Sequence, residues 1–170
     1  MKKLDTSENQ VKPIYLGVGS NLGNKKINIE KAKFKLADSG IFILQSSKYF
    51  ESISWPNTKN PTFLNIILEV TTNLKSAELL KVCKNLESYL GRKKSPKNSP
   101  RVCDIDIIDY KSQVSTSNVV LPHPRMHVRN FVLLPLFELN KDWIHPISKH
   151  HIKKLIFLLS NKDIRSIKQI

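Results

Sequence analysis

The sequence predicts an α+β fold of the ferredoxin-like kind, an α/β sandwich with a mainly antiparallel sheet and helices packed on one of its faces. Three observations carry that expectation: short apolar runs rich in β-branched residues, two helical-period segments closed by glycine, and their order along the chain. That order is strand, helix, strand, strand, helix, strand, followed by a C-terminal extension.

Residues 1–12 are polar and are expected to be frayed, leaving 13–170 as a single catalytic domain. After Pro13, IYLGVGSN reads as a strand that ends in a Gly/Ser/Asn turn. From Asn24 the pattern turns helical, with Ile27, Ile29, Ala32, Phe34 and Leu36 near helical spacing and Gly40 as the stop. IFILQSSKYFESIS supplies one extended stretch, broken at Trp55-Pro56-Asn57, and FLNIILEVTTN supplies another with Asn65 as a polar intruder. Ser76 reads as the N-cap of a second helix whose apolar stripe runs Leu79, Leu80, Val82, Leu86, Tyr89, Leu90, with Gly91 as its stop. RKKSPKNSPR is basic and aperiodic and predicts a mobile loop. CDIDIIDY is a strand, LPHPRMHVRN a Pro-punctuated loop, and FVLLPLFEL a short helix interrupted or started at Pro135.

A chain of 170 residues fits one domain, since roughly 100–200 residues per domain is usual. Its 40% hydrophobic content excludes wholesale disorder, and no apolar stretch approaches the length of a spanning helix. The N-terminus has no apolar segment of signal-peptide type. Cys83 and Cys103 are the only cysteines and have no metal-site spacing, which fits a reduced, cytoplasmic setting. The net charge of +14 invites an anionic partner, but the lysines are scattered and equally describe a solvated surface.

The run PRVCDIDIID places acids inside an apolar strand. Alternate side chains of a strand share a face, so Asp104 and Asp106 project together while Ile105 and Ile107 point the other way. Asp109 has the opposite parity and reads as a surface or turn residue. Two adjacent carboxylates repel unless a cation joins them, and Mg²⁺ is held by one or two carboxylates plus phosphate oxygens. Alone, the pair also reads as two solvent-facing strand acids. Its company includes Arg92 and Arg101 around the basic loop, then His123, Arg125 and Arg129 after the strand. Guanidinium groups bind phosphate bidentately, so the set suits a nucleotide triphosphate. GSNLGN lacks the Lys-Ser/Thr of a phosphate-binding loop and reads as a tight turn. Phe63 and Asn65, two apart on a strand, would suit a flat heterocycle, although Phe63 by itself reads as core.

YLGVGSNLGN, the FLN of residues 63–65, LESYLGR, PRVCDIDIID and LPHPRMHVRNFVLLPLFEL occur in this order over roughly residues 14–146. Together they resemble the 6-hydroxymethyl-7,8-dihydropterin pyrophosphokinase family of folate biosynthesis. The resemblance implies a monomeric ATP-dependent diphosphotransferase that acts on small molecules, with no nucleic-acid or membrane partner. It implies Asp104 and Asp106 as ligands of two Mg²⁺ ions, and Arg92, Arg101 and Asp106 as catalytic residues. It also implies Glu87, Arg92, Arg101, Ile107, His123 and Arg129 around ATP, and Ser52, Ile53, Trp55, Phe63, Asn65 and Phe131 around the pterin.

Two departures stand out: the basic loop is one residue short and carries Asn98-Ser99 where the family has an aromatic residue and Gly, and residues 50–54 read FESIS where it has Tyr-Glu-Thr-x-Pro. They leave a non-catalytic homologue as one alternative. A basic RNA-binding module is another, disfavoured by the absence of an RNP-like aromatic motif and by paired acids at the centre of the site.

Overall fold

The computed structural model describes residues 12–54, 57–93, 95, 96 and 98–170. The expected fraying of the N-terminus and the expectation for Trp55 lie outside those residues, apart from Lys12.

Pairing makes the strands. β1 (Ile14–Ser20) runs between β4 (Phe63–Thr71) and β5 (Asp104–Tyr110), antiparallel to both. β2 (Phe42–Ser46) pairs with the C-terminal half of β4 and β3 (Phe50–Ser52) with its N-terminal half. The single extended stretch expected at 41–54 is therefore two strands. Ser47 spans the break, its N–H donating to Ile67 O at 2.9 Å and its Oγ accepting from Ile67 N at 2.9 Å. β6 (Ile167–Gln169) adds to the free edge of β3, giving the order β5-β1-β4-β3-β6.

α1 (Lys25–Asp38) is capped by Asn24, whose Oδ1 accepts from Ile27 N at 3.1 Å, and is followed by Gly40 at φ +76°. α2 (Ser76–Tyr89) begins one residue earlier than Ser76 as N-cap would give. Lys75 is the cap residue, and Glu78 satisfies its N–H at 2.7 Å, which leaves Ser76 inside the first turn. Both helices pack on one sheet face over Ile14, Leu16, Val18, Ile105 and Ile107. Ile29, Ala32 and Leu36 form the buried stripe of α1. Ile27, Phe34 and Tyr89, expected in the stripes, are exposed instead, and Lys35 Nζ lies 5.5 Å and 5.3 Å from the Phe34 and Tyr89 ring centroids.

The opposite face is covered as well, contrary to the one-sided packing expected. α3 (Asn130–Leu139) and α4 (Ile152–Phe157) bury Val132, Leu133, Leu136, Ile152 and Leu155 against Tyr15, Ile67 and Ile108. α3 runs through Pro135. The ring removes the hydrogen bond to the Phe131 carbonyl, and burial of the helix on the sheet offsets that loss. α5 (Asn161–Arg165) leads into β6. No helix among the described residues is long and apolar enough to cross a membrane.

The β1–β5 register shifts between Tyr15 and Leu16, whose partners are Asp109 and Ile107. Ile108 is the extra residue of a bulge, and beyond it the two faces exchange. Tyr110 accordingly joins the core under α1 and α2, and Asp109 turns toward the α3 side. Asp109 is thus 1% exposed rather than a surface residue, and accepts from Trp143 Nε1 at 2.8 Å and Ser112 N at 2.9 Å. Burial pushes its carboxyl above the ordinary aspartate range, against the opposing pull of those two donors.

Trp143→Phe removes one donor and leaves a buried oxygen unpaired, an expected cost of about 1–3 kcal/mol at neutral pH. An acid whose folded pKa is raised loses its stabilising contribution as pH rises through that value, and W143F raises it further. Urea unfolding should therefore show the W143F deficit in full at neutral pH and narrowing as the pH falls.

Candidate active site

β5 delivers Asp104 and Asp106 to the α3 side of the sheet while Ile105 and Ile107 enter the core under α1 and α2. Both carboxylates meet cations. Asp104 Oδ1 accepts from Arg92 NH1 at 2.6 Å, and Asp104 Oδ2 lies 2.9 Å from Arg101 NH2. Asp106 Oδ1 is 3.5 Å from Lys84 Nζ, and Asp106 Oδ2 is 3.9 Å from His123 Nε2. Burial works against the Asp104 carboxylate, but Arg101, Arg92 and Lys84 outweigh it and hold the group below the usual range. Burial depresses His123, assisted by Arg129 and Arg125 and opposed by Asp106, so the ring is neutral near pH 7.

Glu87 lies behind this shelf. It is 2% exposed and accepts from Ile105 N and Lys84 Nζ, each at 2.7 Å, and from Arg92 NH1. Burial raises its pKa, with Lys84 pulling the other way. A chain of alternating charge thus runs Lys84, Glu87, Arg92, Asp104, Arg101 and fastens α2 to β5. The side chains of Glu87 and Ile107 do not reach the cleft wall. Glu87 stands behind it as a support, and Ile107 is turned into the core by strand parity.

Two recesses meet at the shelf. The charged cleft is walled by Lys84, Arg92, Lys93, Arg101, Arg125 and Arg129, with Asp104, Asp106 and His123 between them. Pro96, Asn98 and Ser99 of the basic loop also line it, whereas Lys94 and Lys97 lie outside the described residues. The second recess is a slot lined by Ser52, Ile53, Phe63, Asn65, Phe131 and the glycine face of β1. Asn98, Arg101, Asp104, Asp106 and Arg129 belong to both. The arginines also join the recesses physically, with Arg101 Cζ 5.2 Å from the Phe63 ring centroid and Arg129 Cζ 5.3 Å from that of Phe131. Arg101 Nε is buried without a hydrogen-bond partner among the described residues. The Arg101 side chain itself is partly exposed, so its guanidinium combines a face open to the recess with one unmatched inner donor.

Four contributors were not singled out from the sequence. Gly17 and Gly19 floor the slot: a Cβ at Gly19 would lie 3.1 Å from Asn65 Oδ1 and 3.5 Å from Phe63 Cδ1, and one at Gly17 3.1 Å from Ile108 Cδ1. Two glycines at the same strand parity are the legible signal for such a close approach. Asn21, in the turn after β1, exchanges both backbone bonds of Arg101, its N–H donating to Arg101 O at 3.1 Å and its Oδ1 accepting from Arg101 N at 2.7 Å. Its Nδ2 donates to Pro61 O at 3.3 Å, so one side chain ties the basic loop to the segment before β4. Lys84, the fourth, was hidden among many surface lysines. Asn65 Nδ2 donates to Ser52 Oγ at 3.0 Å, which fixes the amide across the slot.

Two hard-oxygen carboxylates facing guanidinium groups, beside a slot with aromatic walls on an α+β fold, have the chemistry that suits phosphate oxygens and a flat ring. The family model for 7,8-dihydro-6-hydroxymethylpterin-pyrophosphokinase matches residues 15–141, and the chain belongs to that family. Folic acid synthesis protein FOL1 of Dictyostelium discoideum is 41% identical over 134 residues, which cover 78% of this chain and 20% of that protein. The 2-amino-4-hydroxy-6-hydroxymethyldihydropteridine pyrophosphokinase of Aquifex aeolicus is 38% identical over 142 residues, covering 83% of this chain and 88% of that one. The chain thus spans about a fifth to a quarter of the first two curated relatives it matches, and most of the Aquifex protein. A crystal structure of wild-type Plasmodium falciparum HPPK-DHPS superposes with TM-score 0.68 at 15% identity, over 97% of this chain and 45% of that one, and shows the shared fold.

Glu87→Ala should leave the buried Ile105 N–H without its acceptor while Lys84 and Arg92 regain water. The expected loss is about 1–3 kcal/mol, read as a lower urea midpoint with an unchanged slope.

Proposed function

We propose that the chain transfers the β,γ-diphosphoryl group of ATP to the hydroxymethyl oxygen of 6-hydroxymethyl-7,8-dihydropterin, releasing AMP, in tetrahydrofolate biosynthesis. The observation that carries this reading is the shared wall: a charged cleft and a flat aromatic slot meet at Asp104, Asp106, Arg101 and Arg129. A reaction between a triphosphate and a heterocyclic alcohol requires that meeting point.

The pterin ring lies in the slot between Phe63 and Phe131, with Asn65 reading its donor and acceptor edge, Ser52 meeting it from the end of β3 and Ile53 from the residue that follows. The triphosphate lies in the cleft against Arg92, Arg101, Arg129 and His123. Glu87 serves the nucleotide side by holding Lys84 and Arg92 in place, and Ile107 by anchoring β5 beneath it. The hydroxymethyl oxygen forms its bond to the β-phosphorus as the bond from that phosphorus to the AMP oxygen breaks, and the hydroxyl proton passes to Asp106. The work of the protein is alignment and charge neutralisation.

The donor set fits Mg²⁺, a hard cation held by one or two carboxylates together with phosphate oxygens. Asp104 and Asp106 would hold two such ions, which when bound neutralise the triphosphate charge. In the free protein the same carboxylates are matched by Arg92, Arg101 and Lys84. Binding of nucleotide with metal is therefore an exchange of partners, in which guanidinium groups pass from carboxylate to phosphate. The proposed working unit is a cytoplasmic monomer formed by residues 13–170, following the family pattern.

Incubation with ATP, Mg²⁺ and 6-hydroxymethyl-7,8-dihydropterin should yield AMP and the diphosphorylated pterin, and chelation of Mg²⁺ should stop it. Folded protein that forms no AMP overturns the proposal. Asp106→Asn should lower turnover roughly 10²-fold or more. Gly19→Ala puts a methyl group into the slot floor and should raise KM for the pterin on the order of tenfold, about 1.4 kcal/mol, with KM for ATP unchanged.

A further inference from the structure

Residues 142–170 lie beyond the segment matched by the family model, yet they bond to the two elements, β3 and α3, that carry opposite walls of the slot. On one side β6 pairs with β3, placing Ile167 opposite Ser52 and Gln169 opposite Phe50, and Ile170 N donates to Tyr49 O at 2.9 Å. Ser52 is the residue whose Oγ accepts from Asn65. On the other side Asn130 opens α3 immediately before Phe131. Its Nδ2 donates to Asp163 O at 2.6 Å and to Ser166 Oγ at 3.1 Å, while its Oδ1 accepts from Phe131 N at 2.7 Å. A route of hydrogen bonds therefore runs from Phe131 through Asn130 to the α5–β6 turn, along β6, and across to β3.

We propose that α5 and β6 form a strap that sets the spacing between β3 and the start of α3, and that Asn130 is the positioning residue that fastens it. The proposal rests on the reading of the slot as the pterin subsite. Asn130 is nearly buried, and its amide serves two acceptors on the strap and none on its own helix. The turn it grips is also satisfied without it, because Asp163 O accepts from Ser166 Oγ at 2.8 Å and from Ser166 N at 3.2 Å. Loss of Asn130 consequently uncouples the strap from α3 while leaving the strap's own hydrogen bonds in place. A misplacement of one wall by a fraction of an ångström acts on the ligand stacked against it and spares the nucleotide cleft.

The test compares wild type, Asn130→Ala and Ser166→Ala. Calorimetric titration with 6-hydroxymethylpterin should show about tenfold weaker binding in N130A and a smaller loss in S166A, with Mg²⁺-ATP-analogue affinity unchanged. The double variant should bind no more weakly than N130A, because both residues act through one link. Amide exchange at Phe50–Ser52 and Ile167–Gln169 should accelerate in N130A without ligand. Unchanged exchange at those amides overturns the strap whether or not pterin binds, and so does a loss shared equally by both ligands. Wild-type protein that binds no pterin, with accelerated exchange in N130A, overturns the subsite reading and leaves the strap standing.

Discussion

Asp104 and Asp106 occupy one face of a strand whose other face is dry core, and the fold depends on the cations that make this tolerable. Burying a charge costs several kcal/mol unless it is paired and hydrogen-bonded. Here the pairing is extended into a ladder, Lys84 to Glu87 to Arg92 to Asp104 to Arg101, in which each acid is shared between two bases. The ladder crosses from α2 through the loop that follows it to β5, and Ile105 N anchors its middle on Glu87. The same contacts that join helix to sheet hold the guanidinium groups at the mouth of the cleft.

That dependence explains which parts of the molecule the sequence revealed. The parity of Asp104 and Asp106 is a local property of a strand, and the glycine stops at Gly40 and Gly91 are local as well, so both were legible. The bulge at Ile108 was not, because IIDY consists of residues that suit a regular strand, and the extra residue is defined only by its pairing with Tyr15 and Leu16. Asp109 was misplaced for that reason alone. Glu87 was named only through the family resemblance, as a residue around the nucleotide, and its burial follows from the approach of Ile105 N eighteen residues away in sequence. The second helical layer was missed because α3, α4 and the tail meet the sheet through contacts that no local period encodes.

The slot is legible in part for a similar reason. Phe63 and Asn65 share a strand face, so their partnership could be read directly. The floor beneath them is made by what Gly17 and Gly19 lack, and a missing side chain acquires meaning only once β1 is known to lie beside β4. Asn21 likewise looks like a turn residue until its amide is found bridging Arg101 and Pro61. Phe131 is set from further away still, by Asn130 and the C-terminal residues that Asn130 holds.

The wall of the charged cleft carries six cationic side chains and two carboxylates among the described residues. Apolar ground lies beside it, and a recess of one sign with low-dielectric walls focuses its field outward into solvent. The wall therefore acts on any anion before contact is made, drawing it in over a distance set by the Debye length. Arrival is faster in dilute buffer and slows as salt screens the field. The six cations of this wall thus carry a kinetic meaning apart from their contacts: they bear on how often an anion reaches the cleft, separately from how tightly the cleft then holds it.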